Sequence, residues 1–259
     1  MGFEFFRNQD NTRFESSDIG LLFPDWQMGR ENVVFVGAHD DDICLGAGLL
    51  VQAVNHFQGK AYFLVVTDGR QGYCSEEEKA DIYERRVNEA RTSASILNAA
   101  DIVRLDFSDG DLVLHYGTTN QQLIWRLTQA FKDLDATRIV VPTISDAHPD
   151  HVYTNEATRI CIFHANGGIW DGRKARITTV LESAVYCPFE GAPDLALRTG
   201  HEEFERKLNA IHAYESQRQI ADLVERVSSG GSIEIFKTLP APNYSAKEMF
   251  AKYFENKSS

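Results

Sequence analysis

The chain has 259 residues, 43% of them hydrophobic, and a formal charge of −12 from 38 acidic against 26 basic residues. That length supplies a full core and fits one large α/β domain over residues 1–259 better than two separate ones. The acidic balance, uninterrupted by any Lys/Arg-rich run, argues against nucleic acid or an anionic membrane surface as a partner.

No run approaches the roughly 18 apolar residues of a membrane span, and Met1-Gly2-Phe3-Glu4-Phe5-Phe6-Arg7 has no basic region followed by a long apolar stretch. A soluble cytoplasmic protein without membrane insertion is expected. Cys44, Cys74, Cys161 and Cys187 are widely spaced with no Cys-x-x-Cys pair, so they read as packing residues. A thiolate ligand is the competing reading for Cys44.

Residues 1–30 show no clear period and read as an irregular lead with a turn at Phe23-Pro24-Asp25-Trp26. The core is expected over about 32–228. Val33-Val34-Phe35-Val36-Gly37 is a continuous apolar run of the kind a buried parallel strand carries, and Leu49, Leu50, Val54 and Phe57 then mark a helix over 46–57. The pattern recurs as a strand at 61–66, a long helix at 76–98, a short strand at 102–105, a helix at 120–134 and a strand at 138–141. A helix at 153–164, a strand at 177–186 and helices at 202–214 and 220–227 follow, with 238–259 as an undetermined tail. Such alternation implies an α/β fold, a mostly parallel sheet with helices on both faces.

Two clusters sit where strands should end, and the carboxyl ends of parallel strands form the ligand crevice of an open sheet. The first is His39-Asp40-Asp41-Asp42. His39 and Asp42, three residues apart, can point the same way as metal ligands, and Asp41 is placed to take a proton from a bound water. The bland reading is helix capping, but capping needs one carboxylate rather than three. The second is His148-Pro149-Asp150-His151. It supplies a third ligand, His151, leaves His148 to face substrate, and offers Asp150 to orient an imidazole through its second ring nitrogen. Two histidines and a carboxylate with an open fourth position suit a catalytic zinc, or another divalent transition metal.

With these clusters the sequence resembles the PIG-L or LmbE-like family of zinc-dependent N-acetylglucosaminyl de-N-acetylases. That family carries Ala-His-Pro-Asp-Asp-Glu and His-x-Asp-His motifs in a Rossmann-like fold. Further parallels are Thr67-Asp68-Gly69-Arg70-Gln71-Gly72 against its Thr-x-Gly-x-x-Gly turn, Arg86-Val87-Asn88-Glu89, Ser108-Asp109-Gly110, and Lys207 to Gln217 with His212. The resemblance implies hydrolysis of the N-acetyl group of an amino sugar, a small molecule or glycan conjugate, with His39, Asp42 and His151 holding one zinc. It implies Asp41 as general base, His148 as oxyanion stabiliser or acid, and Arg86 and Asp109 near the sugar. Arg70, in the glycine turn, is a further sugar-binding candidate, and Arg85 competes with Arg86.

Asp40 stands where the family has Pro and Ile43 where it has Glu, and the three-Asp run leaves a shifted register open. In that register Asp41 is the ligand and Asp40 or Asp42 the base. The alternative from another class is a noncatalytic binding module in which residues 67–72 cradle a phosphate. Homo-oligomerisation stays open.

Overall fold

The computed structural model describes residues 2–73, 75–217, 219–240 and Lys247. Its first element corrects the reading of 1–30 as irregular: β1 (Glu4–Gln9) and β2 (Thr12–Ser16) form an antiparallel hairpin. The two-residue turn has φ of 50° at Asp10 and 60° at Asn11, the pair of left-handed residues that matches hairpin twist. No residue of β2 is buried, so the strand carries no hydrophobic alternation for a sequence reading to find.

The expected alternation follows. β3 (Asn32–Gly37) leads to α1 (Asp42–His56), β4 (Lys60–Thr67) to α2 (Ile82–Ile96), β5 (Asp101–Phe107) to α3 (Leu123–Asp133), and β6 (Arg138–Pro142) to α4 (Pro149–Gly167). After β7 (Thr179–Ser183) come β8 (Leu195–Arg198), α5 (His201–His212), α6 (Ile220–Gly230) and β9 (Ile233–Leu239). The long helix expected over 76–98 is shorter: Glu78–Ala80 is a separate 3-10 turn with no buried residue, and without an apolar face to pack, nothing tertiary holds that turn in the helix. The core likewise extends past 228, because β9 occupies the start of the expected tail; positions 241–246 and 248–259, like Cys74, lie outside the described residues.

Among the described residues nine strands join one sheet in the order β2-β1-β8-β9-β7-β6-β3-β4-β5. The block from β7 to β5 is parallel, and β9, β8, β1 and β2 extend it antiparallel. Alternate residues of the parallel strands face opposite layers, as the strand period requires. Val33, Phe35, Ala61 and Phe63 pack with α1, α2 and α5, whereas Val34, Val36, Leu64 and Val66 pack with α3 and α4.

Helix α1 is broken at Ala47 (φ −147°, ψ 18°). The break frees the amides of Leu49 and Leu50, which donate to Glu234 Oε1 at 2.8 Å and Oε2 at 3.0 Å; Lys207 Nζ of α5 donates to the same Oε1 at 2.6 Å. A carboxylate from β9 thus replaces the missing carbonyls of the helix and brings its own counter-ion.

Candidate metal and catalytic site

Every functional segment follows the carboxyl end of a parallel strand: His39–Asp42 after β3, Asp68–Gly72 after β4, Asp109 after β5, His148–His151 after β6 and Tyr186 after β7. The first loop turns so sharply that a Cβ on Gly37 would sit 2.4 Å from the His39 carbonyl oxygen, so only glycine fits there. The second begins α4, where Pro149 occupies the first turn and His148 Nδ1 accepts the Asp150 amide at 3.2 Å. A cavity of about 260 Å³ lies among these loops, lined by His39, Asp41, Gly69, Gln71, Gly72, Arg86, Asp109, His148, Tyr186, Gln217 and Gln219.

His39 Nδ1 and His151 Nε2 face each other at 3.2 Å. Asp42 Oδ1 lies 3.2 Å from His151 Nε2, and Oδ2 lies 3.7 Å from His39 Nδ1. Asp42 Oδ2 also accepts the His39 amide at 2.8 Å, which fixes the carboxylate, while the buried Oδ1 has no hydrogen-bond partner. With each imidazole protonated on its outer nitrogen, two lone pairs and an unpartnered carboxylate oxygen face one another, which is unfavourable unless something cationic sits between them. Bonds of about 2.0–2.2 Å to a tetrahedral ion would space its ligands about 3.3–3.6 Å apart, close to what the three side chains present. The donor set therefore fits a zinc-type ion.

Carboxylates lie beside the outer nitrogens of both rings. Asp109 Oδ1 is 3.1 Å from His39 Nε2, and Asp146 Oδ2 is 3.2 Å from His151 Nδ1. Such partners set the tautomer and aim the other nitrogen. His148 joins His39 and His151 in a group whose ligand atoms lie within 4.8 Å, as do Asp109 and Asp150 with His39. On the Asp109 and Asp150 side, backbone amides already supply donors: Gln71 N to Asp109 at 3.0 Å, and Gly110 N to Asp150 at 2.8 Å. The unmet valence is on the Asp42 side.

The three aspartates take separate places. Asp40 is buried against Arg86 and against Arg104 Nη1, the latter at 3.2 Å, and its carbonyl accepts the Tyr214 hydroxyl. Asp41 lines the cavity with its Oδ1 3.3 Å from Arg86 Nη2. Asp42 faces the imidazoles, so the unshifted register has the geometry of a ligand.

Charge follows these places. Burial raises the Asp41 pKa, with Arg86 opposing and the neighbouring aspartates adding to the rise. Burial works in the same direction on Asp42 and is the largest single influence, but the charges and hydrogen bonds of His151 and His39 together overcome it and hold that carboxyl low. For His151, burial is overcome by Asp42 and Asp146, lifting it to about 9. His148, with burial and two neighbouring imidazoles against its charge, is lowered.

Of the sequence candidates, His39, Asp41, Asp42, His148, His151, Asp109 and Arg86 come together. Asp150 lies 3.6 Å from His39 Nε2 and binds backbone amides. Arg70 is not brought in: it is largely exposed, pairs with Asp68 at 3.1 Å and covers the Tyr83 ring. Arg85 pairs loosely with Glu78. Lys207 serves the α1 break instead. The Cys44 thiol donates to the Asp41 carbonyl at 3.0 Å and burial raises its pKa, which suits a packed thiol rather than a thiolate ligand. Asp146 and Arg104 escaped sequence reading, whereas Tyr186, an aromatic that could stack on a sugar face although core packing is the better default, and Gln217, the end of the Lys207 to Gln217 element, both line the cavity. Asp146 had a signal, since an acid two residues before His148 can cap that loop, and it accepts the His148 amide at 3.0 Å.

A Rossmann-like α/β sheet with a His/His/Asp donor set at its carboxyl edge defines the class of protein. Residues 34–162 match the model of the family described as PIG-L: GlcNAc-PI de-N-acetylase, and through that segment the chain belongs to the PIG-L family. Among solved structures, N,N'-diacetylchitobiose deacetylase from Pyrococcus horikoshii superposes with a TM-score of 0.69 at 18% identity, covering 88% of this chain and 92% of its own. The conserved protein TT1542 from Thermus thermophilus superposes with a TM-score of 0.67 at 22% identity, over 83% of this chain and 97% of its own. GalB, the 4-carboxy-2-hydroxymuconate hydratase from Pseudomonas putida, gives 0.66 at 17% identity over 83% and 98%. These likenesses are of fold, and the fold carries more than one reaction. No curated protein sequence matches the chain. Among the described residues no helix is long and apolar enough to cross a membrane.

Proposed function

We propose that the protein is a zinc-dependent hydrolase that removes the N-acetyl group from an N-acetylglucosamine-type amino sugar or its conjugate. The observation that carries this reading is the mutual approach of His39 Nδ1, His151 Nε2 and Asp42 beside the cavity-lining Asp41; membership of the PIG-L family supports the choice of bond. Held by His39, Asp42 and His151, a zinc or other divalent transition-metal ion would polarise the amide carbonyl and acidify a water.

Asp41 then acts as the base. Its burial makes it more basic than an exposed aspartate, while Arg86 keeps its carboxylate form accessible. His148, on the cavity wall, donates a hydrogen bond to the developing oxyanion, and the departing amine receives from Asp41 the proton that Asp41 took from the water. Asp109 and Asp146 hold the ligand imidazoles, and Asp150 braces the 110–112 loop beneath them. Arg86 and Asp109 border the space for the sugar, with Arg70 as a more distant contact reached by an extended conjugate. The setting is a soluble cytoplasmic enzyme acting on a small-molecule or glycan-conjugate substrate.

The phosphate-cradle alternative is disfavoured because the amides of residues 70, 71 and 72 are occupied, donating to Asp68, Asp109 and the Gly69 carbonyl. The deciding experiment is acetate release from a panel of N-acetylglucosamine derivatives by chelator-treated, zinc-reconstituted and Asp41→Asn protein. Zinc-dependent release lost in the variant is the expected result. Tight zinc binding with no release from any member would replace the N-acetyl sugar by another amide or ester.

A further inference from the structure

At the opposite end of the sheet, where β3, β6 and β7 begin, lies a cavity of about 640 Å³, more than twice the volume of the one at the candidate site. Its lining includes Arg30, Arg138 and Arg176 together with Asp25, Glu31 and Thr137. Three guanidiniums against two carboxylates leave a positive surplus in a chain whose formal charge is −12.

The carboxylates do not use up the arginines. Glu31 is committed to its own surroundings, its Oε1 accepting the Gln27 amide at 3.0 Å and its Oε2 the Thr137 hydroxyl at 2.6 Å. Arg138, the first residue of β6, is only 3% exposed; its Nη2 donates to the Pro24 carbonyl at 2.8 Å and lies 3.5 Å from Glu31. Its Nε is buried with no hydrogen-bond partner. Burial pulls the Arg138 pKa below its ordinary value despite the nearby acids, the sign of a cation short of compensation. Arg30 and Arg176 are exposed, and neither guanidinium has a hydrogen bond or ion pair among the described residues.

Three guanidiniums on the wall of one cavity, those of Arg30 and Arg176 unpaired, match the planar, multidentate recognition of a phosphoryl group. A bare phosphate would leave most of the cavity empty, whereas about 300–1,000 Å³ is the usual size of a small-molecule site. We propose that this cavity binds a phosphorylated small molecule, with Arg30, Arg138 and Arg176 on its phosphoryl group and the organic part along the remaining wall. The site is separate from the His39 cluster, and its existence does not depend on the reaction assigned there.

Isothermal titration calorimetry on the full chain tests it with glucose 6-phosphate, inorganic phosphate and glucose as probes. The phosphate ester should bind more tightly than inorganic phosphate, glucose should not bind, and affinity should fall with added salt. Arg30→Glu and Arg176→Glu, both at exposed positions and checked for fold by circular dichroism, should each weaken the ester by about tenfold or more. Arg138→Lys, which keeps the charge but loses the fork, should weaken it as well.

Failure of the ester to bind overturns the proposal, as does affinity unchanged in the Arg30→Glu/Arg176→Glu double variant, which would place the phosphate elsewhere. Inorganic phosphate binding as tightly as the ester would assign free phosphate and overturn the organic part.

Discussion

Two buried ionic clusters flank helix α1, and they are built to opposite standards. At its break, Glu234 accepts the Leu49 and Leu50 amides and Lys207, so charge and hydrogen bonds balance within the protein. At its start, Asp42 Oδ1 has no hydrogen-bond partner and two imidazole nitrogens confront each other at 3.2 Å. A closed cluster serves the fold. One that leaves a buried carboxylate oxygen unpartnered has the composition of a binding site rather than of a brace.

Breaking each cluster should therefore read out differently. The largest expected effect is catalytic: Asp41→Asn should retain bound zinc yet lower turnover by about 10²–10⁴-fold, and equal activity in the variant would remove Asp41 as the base. Next comes the closed cluster. Lys207→Met strands Glu234 as an unpaired buried carboxylate and should cost about 3–5 kcal/mol in denaturant unfolding. The open cluster should respond through its ligand, with Asp42→Asn abolishing stoichiometric zinc by metal analysis and Lys207→Met leaving it unchanged. Loss of zinc in both variants would mean the two clusters do the same job. Smallest is an exposed pair for calibration: removing Arg198 from Glu4, where both side chains are about half exposed, should shift stability by less than about 1 kcal/mol.

The parallel half of the sheet was legible because strands buried on both faces must read as unbroken apolar runs. The approach of His39, Asp42, His148 and His151 was legible because two local motifs carry them. The antiparallel half hid for a physical reason visible in β9. There Ile233 and Ile235 are exposed while Glu234 and Phe236 are buried, since the helix break needs a carboxylate inward. Alternation in the sequence would have put the isoleucines inside. Arg104 was invisible for another reason: it reaches the site from a distant strand, through Asp40. Nothing near it in sequence announces that role.

The pairing of β1 with β8 sets an order of events on the ribosome. Glu4 lies opposite Arg198 and Phe5 opposite Leu197, so the first strand waits for most of the chain before its partner exists. A lone two-stranded hairpin is marginal in water, and at about 5–20 residues per second the wait lasts about 10–40 s. During that interval the Phe5 side chain, fully buried at the end, has no core to enter. A hairpin made well before its partner strand is thus among the last segments to settle, and a nascent chain stalled before residue 195 would keep that hairpin available to chaperones.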